Sequence, residues 1–98
     1  MEYTIKVQSN ELIGRFINCE SIYGRIFKGV IQAIIPAYTK PTKAQMNRLY
    51  GRGWENKECK YAFRPIKWDR VMFQNVFDGH HIVQPLNPEM KYIRWEIS

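Results

Sequence analysis

The sequence predicts an α+β fold in a single domain, 1–98: a small antiparallel sheet, made of an N-terminal strand and a C-terminal meander, packed by one or two helices. Three observations predict it. Both ends of the chain alternate apolar and polar residues with the period of two that marks half-buried strands. The interval from Leu12 to Ile35 carries apolar residues in pairs at a spacing of four. Residues 42–51 contain the start and stop signals of a short helix.

The elements follow in order. In 2–8, Tyr3, Ile5 and Val7 point one way and Thr4, Lys6 and Gln8 the other, which reads as a strand. The pairs that follow are Leu12-Ile13, Phe16-Ile17, Ile22-Tyr23, Ile26-Phe27, Val30-Ile31 and Ile34-Ile35. A helix places such pairs on one broad stripe, so two helices are expected, about 10–18 and 21–35, broken at 18–21. Gly14, Gly24 and Gly29 and the many β-branched residues oppose this, since each glycine costs ~1 kcal/mol in a helix interior. A pair of bulged strands is the competing reading. Ile35-Pro36 ends either element.

Thr42 and Gln45 form a capping-box pair ahead of a helix over 43–50, and Gly51 suits the position after its end. Residues 58–66 alternate again, with Pro65 marking an edge or an end. Residues 70–77 and 80–86 flank Asp78-Gly79, the signature of a hairpin with a type I′ turn. Asn87-Pro88 marks another turn. Residues 91–97 set Tyr92, Arg94 and Glu96 against Ile93, Trp95 and Ile97. A three- or four-stranded meander is the expected C-terminal half.

At 98 residues the chain buries roughly two-thirds of its unfolded surface, enough for a modest core. A hydrophobic fraction of 45% is too high for a disordered chain. No run approaches the ~18 apolar residues that span a bilayer, so no membrane partner is expected. The first residues lack a secretion signal, and two cysteines, Cys19 and Cys59, do not make a disulfide framework. A reducing, cytoplasmic location is the expectation.

Charge is unevenly distributed. From Lys40 to Arg70 there are nine basic and three acidic residues, a net of +6 that equals the formal charge of the whole chain. A sequence pI near 9.5 implies attraction to polyanions. Lys and Arg displace counterions from phosphates, and flat rings give unpaired bases a stacking face. The residues expected to make contact are Lys43, Asn47, Arg48, Tyr50, Arg52, Trp54, Lys57, Lys60, Arg64 and Lys67. Tyr50 and Trp54, beside Gly51-Arg52-Gly53, are the expected stacking rings, whereas Tyr61 and Phe63 read as core.

Catalytic signals are weak by comparison. Asp78-Gly79-His80-His81-Ile82 resembles the opening of the metal motif of HNH nucleases. Only seventeen residues follow His81, however, with no further His or Cys, and Asn87 is the sole candidate for the motif's middle position. A metal site needs three or more ligands. Neither cysteine has metal spacing, Glu55 and Glu58 are a poor acid–base pair, and no phosphate-binding glycine loop is present. No metal, cofactor or catalytic residue is therefore assigned. The expectation is a small basic, non-enzymatic module that binds nucleic acid or a nucleic-acid–protein assembly through 40–70. The alternative is an inhibitor or adaptor, encoded by a virus or mobile element, that binds an acidic host-protein surface; Trp, Tyr and Arg are the residues that dominate such contacts. A small basic ribonuclease using His80 or His81 ranks third.

Overall fold

The structure, a computed structural model, describes residues 9–54 and 64–98. The strand expected over 2–8 lies outside the described residues, as do Lys57, Lys60 and most of the strand expected over 58–66; the described end of that segment, 64–66, is not strand. A turn of 3-10 helix, Ser9–Leu12, leads in. Five antiparallel strands follow: β1 (Phe16–Ser21), β2 (Ile26–Ile35), β3 (Arg70–Gln74), β4 (His81–Pro85) and β5 (Ile93–Ile97). They form one sheet in the order β4-β3-β2-β1-β5. Among the described residues the sole α-helix is α1, Lys43–Tyr50, between β2 and β3.

The two expected helices over 10–18 and 21–35 are replaced by the β1–β2 hairpin. Four is a multiple of two, so residues four apart share a face of a strand as well as of a helix. Phe27 and Ile31 turn inward and are buried, while their partners Ile26 and Val30 point outward and are 47% and 49% exposed. The helical stripe was a strand with apolar residues on both faces. Gly29, costly in a helix, is buried in the middle of β2 and lies opposite Ile17. Between Ile31 and Ala33 the pairing with β3 shifts by a bulge, which re-aims the end of β2.

The sheet curls into a half-barrel. Leu12, Ile17, Cys19, Phe27, Ile31, Val71, Phe73, Leu86 and Ile97 fill its inside. Ile82 of one edge strand and Ile93 and Trp95 of the other pack against that same cluster, which requires the two edges to bend toward each other. On the outer face, Ile35 and Met72 alternate with the inward Ile34, Val71 and Phe73, and both are buried. Ile35 shares a cavity with Leu49 and Tyr50 of α1, and Met46 of the same helix is fully buried.

Curvature also explains why the C-terminal half is no continuous meander. The β3–β4 hairpin is present, but β5 pairs with β1 on the far edge, from Ile17↔Ile97 to Ser21↔Ile93. Residues 86–92 bridge the edges, and Trp95 Nε1 donates to the Asn87 carbonyl at 2.9 Å. The expected alternation of β5 holds: Arg94 and Glu96 are exposed, Ile97 buried.

Nor is Asp78-Gly79 a two-residue turn. Gln74 pairs with His81, leaving a six-residue loop, 75–80. Asn75 organises it: the Asn75 amide donates to the His80 carbonyl, and the Gly79 amide donates to the Asn75 carbonyl, both at 2.8 Å. Its buried carboxamide oxygen accepts from the Lys28 amide at 3.3 Å, and the Val76 amide donates to the Lys28 carbonyl at 2.9 Å. The loop is thereby tied down onto β2, which a two-residue turn would not reach.

The helix follows its local signals. The Gln45 amide donates to Thr42 Oγ1 at 3.1 Å and the Thr42 amide donates to Gln45 Oε1 at 2.9 Å, completing the capping box. Gly51 has φ 79° and its amide donates to the Asn47 carbonyl at 2.8 Å, the left-handed stop that glycine makes without strain. Thr42→Ala is expected to cost about 1 kcal/mol, because it orphans one first-turn amide. In a chain this short that lowers Tm by about 4–8 °C in a thermal melt.

Candidate nucleic-acid interface

The basic stretch begins and ends on the same side of the molecule. The Tyr38 amide donates to the Ile66 carbonyl at 2.6 Å, the Ala37 amide to Asp69 Oδ1 at 2.7 Å, and Arg70 Nη2 to the Thr39 carbonyl at 3.1 Å. Thr39 Oγ1 also donates to the Pro36 carbonyl at 2.6 Å, stiffening the loop. These bonds lay 36–40 against 66–70 at the end of the sheet where Ile35 pairs with Arg70. Lys40 and Lys67, far apart in sequence, thus stand on adjoining segments.

From there α1 carries Lys43, Asn47 and Arg48 on its exposed side while Met46 is fully buried. Arg52, Arg64 and Lys67 are exposed as well. Six exposed cations (40, 43, 48, 52, 64 and 67) accompany Asp69, the one acid among the described residues of this stretch. The Asp69 carboxylate is turned onto the Ala37 amide. Arg70 differs from the others: it is 4% exposed, and burial pushes its guanidinium below the ordinary range while Tyr50 draws it back up. Arg70 is a strut of this end, holding the Thr39 loop.

The rings fall out differently from expectation. Trp54 is 7% exposed, so it does not offer a stacking face beside Arg52. An indole carries a large apolar area, so its burial outweighs the polarity of the Gly51-Arg52-Gly53 loop beside it. Tyr50 is 37% exposed, with one side lining a cavity of about 340 Å³ shared with Leu49, Ile66 and Arg70. Tyr38 is 76% exposed at φ 62°. Sequence reasoning missed it, because a side chain thrown outward by a left-handed backbone has no periodic signature. The Lys67 ammonium lies 4.8 Å from the centroid of the half-buried Trp68 ring.

The histidines sit at the opposite end of β3–β4. His80 is largely exposed, with Nδ1 3.8 Å from Asp78 Oδ2. The Asp78 carboxyl is held below its ordinary range, first by the His80 amide that donates to it at 2.9 Å. Burial pushes the Cys19 thiol up to about 12, so it remains a protonated core group. Among the described residues no three His, Cys, Asp or Glu side chains gather closely enough to hold a metal ion. Among them too, no helix is long and apolar enough to cross a membrane.

Comparison with known proteins returns no match: no family model, no curated protein and no solved structure is significantly similar to this chain.

Proposed function

We propose that this chain is a small basic, non-enzymatic module that binds nucleic acid, alone or within a nucleic-acid–protein assembly, through residues 40–70. The observation that supports this reading is the joining of 36–40 to 66–70, which brings the segments of Lys40 and Lys67 together at the end of the sheet where α1, with its exposed Lys43 and Arg48, also packs. Lys40, Lys43, Arg48, Arg52, Arg64 and Lys67 hold phosphates in this reading, and Lys57 and Lys60 belong to the same stretch. Asn47 supplies an amide for hydrogen bonding. Tyr38 and Tyr50 replace Trp54 as the rings on which unpaired bases stack.

The test is fluorescence anisotropy with labelled single-stranded and duplex oligonucleotides at increasing salt. Each phosphate contact contributes a slope of about −0.7 to −0.9 to log K against log salt. The triple variant Lys43→Gln, Arg48→Gln and Lys67→Gln is expected to flatten that slope by about 2–3 while the fold persists, since all three side chains are exposed. Tyr50→Ala is expected to weaken single strands by about 1–3 kcal/mol and leave duplex binding nearly unchanged. Affinity that does not respond to salt would end the proposal. So would affinity purification that recovers a protein partner after nuclease treatment and no nucleic acid before it.

A further inference from the structure

The other end of the half-barrel holds a second site. A cavity of about 500 Å³ opens at its mouth, beside the β1–β2 turn and the entry to β5. Its floor is apolar, made by Phe27, Ile82 and Ile93; Tyr23 and Tyr92 flank it, and among the described residues Arg25 is the one charged side chain in its wall. The volume lies within the range of ordinary small-molecule sites, and barrel mouths are where such sites occur.

Two features make it a built site. The backbone around it is fixed. Ser21 and Arg25 close the turn with a 2.8 Å bond from the Ser21 amide to the Arg25 carbonyl, and the Arg25 amide donates to Ser21 Oγ at 3.1 Å. The Ile22 amide donates to the Tyr92 carbonyl at 3.0 Å, locking the two tyrosine-bearing segments side by side. The rings themselves are not spent on the core: Tyr23 is 85% and Tyr92 62% exposed. The pinned backbones hold the two aromatic side chains at opposite sides of the cavity, so a ligand orders only the rings and not the segments that carry them.

The chemistry of the walls selects the ligand. Two flat rings above an apolar floor favour a planar aromatic body. One guanidinium fork matches one carboxylate; a dianionic phosphate would bring more charge than a single cation balances. We propose that the mouth of the half-barrel is a binding site for a planar aromatic carboxylate, its ring between Tyr23 and Tyr92 over Phe27, Ile82 and Ile93 and its carboxylate on Arg25. This site is separate from the basic end, where Ile35 pairs with Arg70, and it does not depend on that reading.

The experiment is calorimetric titration with naphthoate, its neutral counterpart naphthamide, and the aliphatic acid decanoate, with amide shift mapping by nuclear magnetic resonance. Naphthoate is expected to bind with shifts centred on residues 21–27, 82, 92 and 93. Naphthamide and decanoate are each expected to bind about tenfold more weakly, for want of the charge-assisted pair or the stacked ring. Arg25→Gln should reduce naphthoate to the affinity of naphthamide and leave naphthamide unchanged. Tyr23→Ala, at a position too exposed to affect folding, should weaken both aromatic probes alike. The proposal is overturned if decanoate matches naphthoate, if Arg25→Gln leaves naphthoate binding intact, or if the shifts map to residues 40–70.

Discussion

Gly29→Ala is expected to destabilise the protein by about 3 kcal/mol or more, and to lower Tm by about 15 °C. Gly29 lies within β2, and a methyl group there would run into the Gln74 carbonyl oxygen while standing 3.1 Å from the Gln74 carbonyl carbon and 3.2 Å from Phe73 Cδ2. Both carbonyl atoms are backbone, at the end of β3 where the 75–80 loop turns back onto β2. They can retreat only by disturbing the Asn75 contacts to Lys28. The comparison that isolates this cause is Gly24→Ala. Gly24 has φ 83° and open space around its Cα, so alanine meets only the left-handed penalty of about 1–2 kcal/mol. A thermal melt in which Gly29→Ala is no worse than Gly24→Ala would mean that the two strands do not approach as closely as described.

Phe73→Ala is expected to cost about 3–5 kcal/mol, read as a lower denaturant midpoint with an unchanged m-value. Phe73 is fully buried in β3, pairs with Ile31 on one side and Ile82 on the other, and stacks on Phe27 with centroids 6.3 Å apart and planes 3° from parallel. Its removal empties the place where both halves of the curled sheet meet. Phe77, only four residues on, is the control. It is 65% exposed with the Lys28 ammonium 5.5 Å from its ring centroid, and Phe77→Ala should stay within about 1 kcal/mol of the parent. If the two variants unfolded at the same denaturant concentration, the core would not run through β3.

Some of this architecture was readable in advance because its signals are local. The capping box at Thr42 and Gln45 and the glycine stop at Gly51 use only neighbouring residues, so helix 43–50 could be placed from local residue order alone. The alternation in 91–97 likewise predicted which side of β5 would be covered. The apolar pairs at 12–35 misled because a spacing of four satisfies both periods. The half-exposed Ile26 and Val30 look, in a list of residues, the same as the buried Phe27 and Ile31. Asp78-Gly79 was a real turn signal, but the competing bonds of Asn75 to β2 set the loop length. For the candidate interface, Lys43, Asn47 and Arg48 fell on an exposed helix side as their spacing implied. Trp54 did not, since whether a ring beside a polar loop turns in or out depends on what space lies behind it.

The amino-acid order alone determined where the positive charge is concentrated, where the short helix starts and stops, and which residues of the last strand face inward. Each of these is decided over a few consecutive residues by hydrogen bonding or side-chain alternation. Tertiary structure alone decided that 16–35 is a hairpin, that β5 joins β1, that Tyr38 faces solvent while Trp54 does not, and that the loops at 36–40 and 66–70 lie together. Those outcomes rest on contacts between segments distant in the chain, made when a five-stranded sheet bends until its edges share one core.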